Sequence, residues 1–518
     1  MAITFLHTRL VDRGAVLAAD CLRVADGVIT AIGGPDIAHP GDELVTGGTL
    51  LPGLIDAHVH LIPGATRLAA RYGVTTLIDQ FSQPDLIAAE RAAGADFRTS
   101  SIGATAPGGH PTLAFEPFPY VEDPKQFVAD RIAEGADHLK LIYDDGSGVA
   151  MNIPTLDEPT IRALVEAAHA SGLKVVAHVS TATGAVTVVD RGVDVLAHAP
   201  SDPMSPAQVE AVAKARVAVI ATLDITDGFA TPDSADLPLL GEAELMVRMP
   251  ARWRRLLDKQ SRRWMPPEAP TNAIASANTL ALHRAGVPVL AGTDAPNPGL
   301  VFGASLHREL QHLVAAGLTP AEAITAATAA PAEVFGLSDR GRLTLGARAD
   351  LLLVDGDPLT DITATQRIQN TWVAGEVATA MDDQTELAGI HFIGATTDRI
   401  VNALKEMWPG FPAPEDIRRE DGELLGHVVP VTGGSLPTTV FGAALGPVSD
   451  HDTAVETVEQ RGLPSLGETW WARTDGDWQE ATIIEAQPDR VRLRWKDPML
   501  DQHPSGQWYP LTDVDLKL

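Results

Sequence analysis

The sequence predicts an α/β protein whose main body is a (β/α)8 TIM barrel. Three observations carry that reading. From residue 51 onward, short apolar runs alternate with Ala-rich helical segments, the pattern of strands and crossover helices in a parallel sheet. Eight such runs can be counted, at residues 54–58, 74–79, 99–104, 138–143, 174–178, 193–198, 218–223 and 287–293. Several of them end in a histidine or lead into an aspartate, and a barrel places its chemistry at the C-terminal ends of its strands.

The remaining elements follow in chain order. Residues 3–6, 16–17, 22–24 and 28–32 read as short strands between Gly and Asp turns. After a helical segment at 320–335, strands return at 341–346, 349–354 and 371–377. These two flanks, 1–50 and 341–380, are expected to form one composite β-sandwich domain around the barrel of residues 51–340. Residues 382–386 read as a linker, and 388–460 as a small α+β domain. Five of the nine tryptophans fall in 465–518, on alternating strands, which predicts a small five-stranded β-barrel. The tail supplies no ligand-type residue at a barrel strand end, so the chemistry is expected not to require residues 388–518.

Composition narrows the class. Hydrophobic content of 45% and charged content of 21% are those of a globular protein with ample core. A net charge of −29 with no basic run opposes binding to nucleic acid. There is no run of 18 apolar residues and no secretory n-region, which predicts a cytoplasmic enzyme without a membrane partner. Cys21 is the only cysteine, which excludes an internal disulfide and a thiolate metal cluster.

The strongest local signal is Leu51-Pro-Gly-Leu-Ile-Asp-Ala-His58-Val-His60. At strand periodicity His58 and His60 share a face, with Cα atoms about 6.5–7 Å apart, so their rings can converge on one ion. His178 and His198 each end an apolar run, and Asp294 follows Val289-Leu-Ala-Gly-Thr. Imidazole with carboxylate suits zinc, or manganese, iron or cobalt. The set predicts a divalent metal site at the C-terminal ends of the barrel strands.

Pro52-Gly-Leu-Ile-Asp-Ala-His-Val-His, the two strand-end histidines, Gly292-Thr-Asp-Ala and the segment from Gly341 to Pro358 together resemble the amidohydrolase superfamily over roughly residues 1–380. The order Lys140, His178, His198 resembles its prolidase-like and imidazolonepropionase-like branch. Lys140, one of eight lysines, interrupts an apolar strand. The resemblance implies that it carries a carbamate bridging two divalent ions, most simply Zn2+. It implies His58, His60 and Asp294 on the deeper ion, His178 and His198 on the outer one, and a metal-bridging hydroxide that cleaves an amide or peptide-like C–N bond. Asp294 would act as general base and then acid. His110, in Gly108-Gly-His110, resembles a substrate-facing histidine of that branch, and Tyr143 is a candidate substrate contact at the barrel mouth.

Lactone or phosphotriester hydrolysis is the alternative, since the same hydroxide attacks those centres. Deamination is disfavoured because His178-Val-Ser-Thr lacks the carboxylate that deaminases place three residues after this histidine. A non-enzymatic binding protein on the same barrel is disfavoured further, because every metal position is filled. Residues 465–518 resemble Tudor-type barrels, which can form an aromatic cage for a methylated cation; the tryptophans here read rather as core, with a homo-oligomer or protein contact as the module's role. Substrate identity is expected to lie in the loops, notably 224–273, where Trp253, Arg254, Arg255, Arg262, Arg263 and Trp264 would form a lid.

Overall fold

The computed structural model describes residues 2–92, 94–111, 119–147, 153–227, 237–261, 272–378, 413–431, 433–474, 478–497, 505–511 and 513–518. The chain divides into two compact units, Met1–Phe229 with Glu242–Arg248 and Pro270–Thr397, and Ala230–Gly241 with Met249–Ala269 and Asp398–Leu518.

The first unit holds the barrel. Its strands are β1 (Leu54–Val59), β2 (Val74–Asp79), β3 (Asp96–Thr99), β4 (Leu139–Ile142), β5 (Val175–His178), β6 (Val195–Ala197), β7 (Ala218–Ile220) and β8 (Val289–Leu290). β1–β2–β3 and β4–β5–β6–β7–β8 pair in parallel. Single parallel bridges, Ala104 to Leu141 and Val59 to Ala295, join the two arcs. Every residue of β1, β2, β4, β6, β7 and β8 is buried, which explains why these strands read as continuous apolar runs rather than alternating ones. Ala57, Val176, Val195, Ala197, Ala218, Ile220 and Leu290 pack together inside, each large aliphatic side chain contributing about 1.5–3 kcal/mol on burial.

The third strand corrects the expected run of 99–104. It lies earlier, at Asp96–Thr99, because Ser101 takes a φ of 55° and breaks the extended path. The crossover helices begin where the sequence supplies caps. Asp157 accepts from Thr160 N ahead of Glu158–Ala170, and Ser205 and Thr319 form capping boxes ahead of Pro206–Ala215 and Pro320–Ala326.

Both flanks of the barrel build two further sheets. One contains Ile3–Leu6, Cys21–Ala25, Val28–Gly33 and Glu43–Thr46, and the other joins Arg9–Asp12, Ala15–Val16 and Thr49–Pro52 to Leu351–Val354, Ile368–Val373 and Glu376–Val377. Phe5, Leu10, Leu22, Leu50, Leu351 and Trp372 share their core, with the Phe5 and Trp372 rings edge-on at 5.0 Å. Residues 341–346, expected as a strand, form a turn instead. Gly341 and Gly346 have φ of 74° and 81°, and Asp12 takes the Leu343 N–H and the Arg342 guanidinium. Thr49–Pro52 leads directly into β1 and its histidines.

In the second unit, Glu415–Arg418, Leu424–Val431 and Gly434–Thr438 form an antiparallel sheet packed by helix His451–Arg461. A five-stranded antiparallel sheet follows, in the order Gln507–Pro510, Arg490–Trp495, Gln479–Gln487, Trp470–Arg473, Asp515–Lys517. Trp470 and Trp495 are core. Trp478 lies against Arg473 and Lys517, and Trp508 against Arg490, so these faces already carry the chain's own cations. The two tail modules, read as separate, share packing: Phe441 meets Trp470 at 5.6 Å, and Leu518 packs on the cluster of Ile417, Leu425 and Val458.

The insertion between β7 and β8 carries three of the residues expected in a lid, Trp253, Arg254 and Arg255. Helix Ala251–Ser261 belongs to the second unit, where Arg252 pairs with Asp513 at 3.3 Å. Arg255 reaches Asp515 and donates to the Thr474 carbonyl at 3.1 Å, and Trp253 is buried. Arg262, Arg263 and Trp264 lie outside the described residues, as does the linker at 382–386. Among the described residues no helix is long and apolar enough to cross a membrane.

Candidate metal centre

The strand ends of the first unit converge on one cluster. His58 and His60 come from the end of β1, with ring centroids 5.3 Å apart, and the His58 ring stacks on His198 at 4.7 Å. His178 meets His198 edge-on at 4.8 Å. Asp294 enters from beyond β8 in a left-handed conformation, φ 63°, which aspartate tolerates better than most residues. Its N–H donates to the His58 carbonyl at 2.7 Å, fixing the carboxylate beside that histidine. Asp294 Oδ1 lies 2.9 Å from His60 Nε2 and 3.4 Å from His58 Nε2, and Oδ2 lies 3.6 Å from His198 Nε2.

Close approach of β1 and β8 makes this possible. A Cβ on Gly292 would stand 2.5 Å from Ile220 Cγ2 and 2.9 Å from His58 Cβ, so only glycine fits. Asp56 ties the same two strands together, accepting from Thr293 N and Oγ1 at 3.0 and 2.8 Å. Burial pushes its carboxyl up to about 7.

The hydrogen bonds fix which nitrogens face inward. The Thr222 hydroxyl donates to the Ala221 carbonyl, so its oxygen accepts from His198 Nδ1 at 2.6 Å and leaves a lone pair on Nε2. That lone pair points at His178 Nδ1, 3.1 Å away. His60 Nδ1 donates to the Phe81 carbonyl at 3.1 Å, so its Nε2 lone pair faces the Asp294 carboxylate. Acceptors facing acceptors at this range repel unless a cation lies among them. The residues present therefore fit divalent ions. His58, His60 and Asp294 each offer a donor atom within 4.8 Å of the others.

The electrostatics agree. Burial holds the imidazoles of His58 and His198 well below their usual range, so they are neutral and able to ligate. Burial alone would raise Asp294, but its hydrogen-bonding and charged neighbours, Lys140 among them, hold the carboxyl well below the usual carboxylate range. Lys140, on β4, is 2% exposed, and among the described residues its Nζ has no hydrogen-bond partner. Burial lowers its ammonium to about 7, against smaller opposing effects of Asp294 and Asp79.

His58, His60, His178, His198 and Asp294 are thus brought together, with Lys140 on the neighbouring strand close enough to share charge interactions with His58, His198 and Asp294. The His110 ring stacks on His178 at 4.7 Å, seated by tightly packed Gly109 and by the Thr105 hydroxyl on the His110 carbonyl. Tyr143 is placed differently. Its ring runs beside Gly184 in helix Ala182–Val189, and its N–H donates to the His178 carbonyl. Sequence reading missed Thr222, the Phe81 carbonyl and Asp56. Of these only Asp56 left a signal, as a carboxylate inside the otherwise apolar run of β1.

A family model described as "Amidohydrolase family" matches residues 49–378. An imidazolonepropionase of Deinococcus deserti is 40% identical over 96 residues, 18% of this chain and 24% of that one, so the match spans about a quarter of that relative. An imidazolonepropionase of Salinispora arenicola is 25% identical over 388 residues, covering 64% of this chain and 84% of the relative. The crystal structure of a Xaa-Pro dipeptidase with bound methionine superposes with a TM-score of 0.58 at 19% identity, over 73% of this chain and 99% of that one, a likeness of fold.

Proposed function

The chain belongs to the amidohydrolase family, and from that membership we propose a two-metal hydrolase that cleaves the C–N bond of a small amide or peptide-like substrate. The observation that carries the reading is the set of inward-facing lone pairs on His60, His198 and Asp294 beside the buried Lys140 amine, which has no hydrogen-bond partner among the described residues. His58, His60 and Asp294 would hold one ion and His178 and His198 the other. Lys140 would contribute to both as a carbamate, formed when its uncharged amine adds to carbon dioxide and loses a proton. The lowered pKa keeps a large uncharged fraction available near neutrality. When bound, two divalent ions supply Lewis acidity and make water a competent nucleophile near pH 7.

The chain's own groups do the rest. Asp294, anionic across the neutral range, accepts the proton of the attacking water and returns it to the leaving nitrogen as the C–N bond breaks. His110, stacked against His178 at 4.7 Å, would touch the substrate. Thr181 stands where a deaminase would place its glutamate. Its hydroxyl caps helix Ala182–Val189 through Gly184 N and can carry no proton to a ring nitrogen.

The test is a screen of N-acyl amino acids, dipeptides and lactones with the metal-loaded chain, repeated after chelation. Turnover of an amide or dipeptide that disappears on chelation and returns with Zn2+ is the expected result. Turnover of lactones alone, or amide turnover indifferent to chelation, would refute the reading.

A further inference from the structure

We propose that Asp144 is a positioning residue that selects the tautomer of His178 and thereby builds the outer metal site; the inference rests on the two-metal reading above. Asp144 follows Tyr143 beyond β4, and its side chain is 12% exposed. Its Oδ2 lies 3.3 Å from His178 Nε2. Its Oδ1 accepts from the Ser180 hydroxyl at 2.8 Å and from Gly146 N at 2.9 Å. The Gly146 contact is an Asx turn, closed by a glycine at φ 77°, and the Asp144 N–H donates to Thr155 Oγ1. The carboxylate is therefore held on both oxygens before any ligand arrives.

The consequence falls on His178. A carboxylate accepts and does not donate, so Nε2 must carry the hydrogen and Nδ1 must carry the lone pair. That Nδ1 faces His198 Nε2 at 3.1 Å, and Thr222 has already forced a lone pair there. Two rings from adjacent strands thus present opposite nitrogens, Nδ1 from β5 and Nε2 from β6, to the same point. Without Asp144 nothing holds the hydrogen on Nε2, and a hydrogen on Nδ1 blocks the site. Ser180, two residues after His178, orients the carboxylate from the same side. Partners of this kind change metal affinity by about 10–100-fold in other sites.

The experiment titrates the metal-stripped full chain with Zn2+ alone against a chromophoric chelator. The wild-type chain should bind two equivalents. Asp144→Ala should bind the first as tightly as wild type and the second about 10–100-fold more weakly. Asp144→Asn, whose amide oxygen still accepts from Nε2, should lose less. In the metal-free chain, 15N shifts should show His178 protonated at Nε2 in the wild type and mixed in Asp144→Ala. Equal affinity for both equivalents in Asp144→Ala would overturn the inference. So would parallel loss of both equivalents in both variants, which marks general disruption. A wild-type chain that binds a single equivalent removes the two-metal reading, and this inference with it.

Discussion

At Gly292 one absent methyl group decides where His58 sits. Gly292→Ala forces its Cβ against Ile220 and the His58 backbone, an overpacking that costs about 1–3 kcal/mol. A lower melting temperature together with weaker metal binding is expected; an unchanged melting temperature would show that the strands can move apart. Glu309 makes a second prediction at this scale. It lies fully buried in helix Ala304–Ala316, accepts from Asp224 N, and is pushed by burial from 4.5 up to about 8. Between those values the folded chain keeps a proton that the unfolded chain releases, so this group makes stability fall as pH rises from about 4.5 to about 8. Glu309→Gln should flatten that fall and raise stability at pH 8 more than at pH 5, as denaturant melts at the two pH values would show. The proposed ligands were legible in the sequence because each stands at or just beyond the end of an apolar run. Thr222 and the Phe81 carbonyl were not, since the first is an ordinary residue type and the second is backbone.

Strand by strand, the barrel was readable wherever both faces are buried, as in β1, β2 and β4, because such strands carry apolar residues on both faces. β3 was misplaced because its polar residues, Asp96 and Arg98, form ion pairs with Arg340 and Asp137 that no local pattern reveals. The partners of the insertion after β7 were hidden for a similar reason, since Arg252 and Arg255 find Asp513 and Asp515 more than 250 positions later in the chain. Ending the chain near residue 383 removes both partners and the Thr474 carbonyl. Metal binding should survive such a truncation, because all the proposed ligands lie in the first unit. Helix Ala251–Ser261 should lose protection, measurable as faster amide hydrogen exchange over 251–261. Unchanged exchange there would show that the helix does not depend on the tail.

At the scale of the whole molecule, the first unit of an acidic chain gathers imidazoles, one carboxylate and one buried amine at its barrel strand ends. Lys140 links the residue chemistry to the assembly. Lys140→Ala removes the group proposed to hold both ions and should lose most activity and about one ion per chain, with partial rescue of turnover by formate or acetate as a substitute carboxylate. The measurement that bears most directly on the central claim is elemental analysis of the chain purified after growth with added metal. The account predicts about two transition-metal ions per chain, falling together with turnover on chelation. Full turnover from a chain that carries no metal would contradict it.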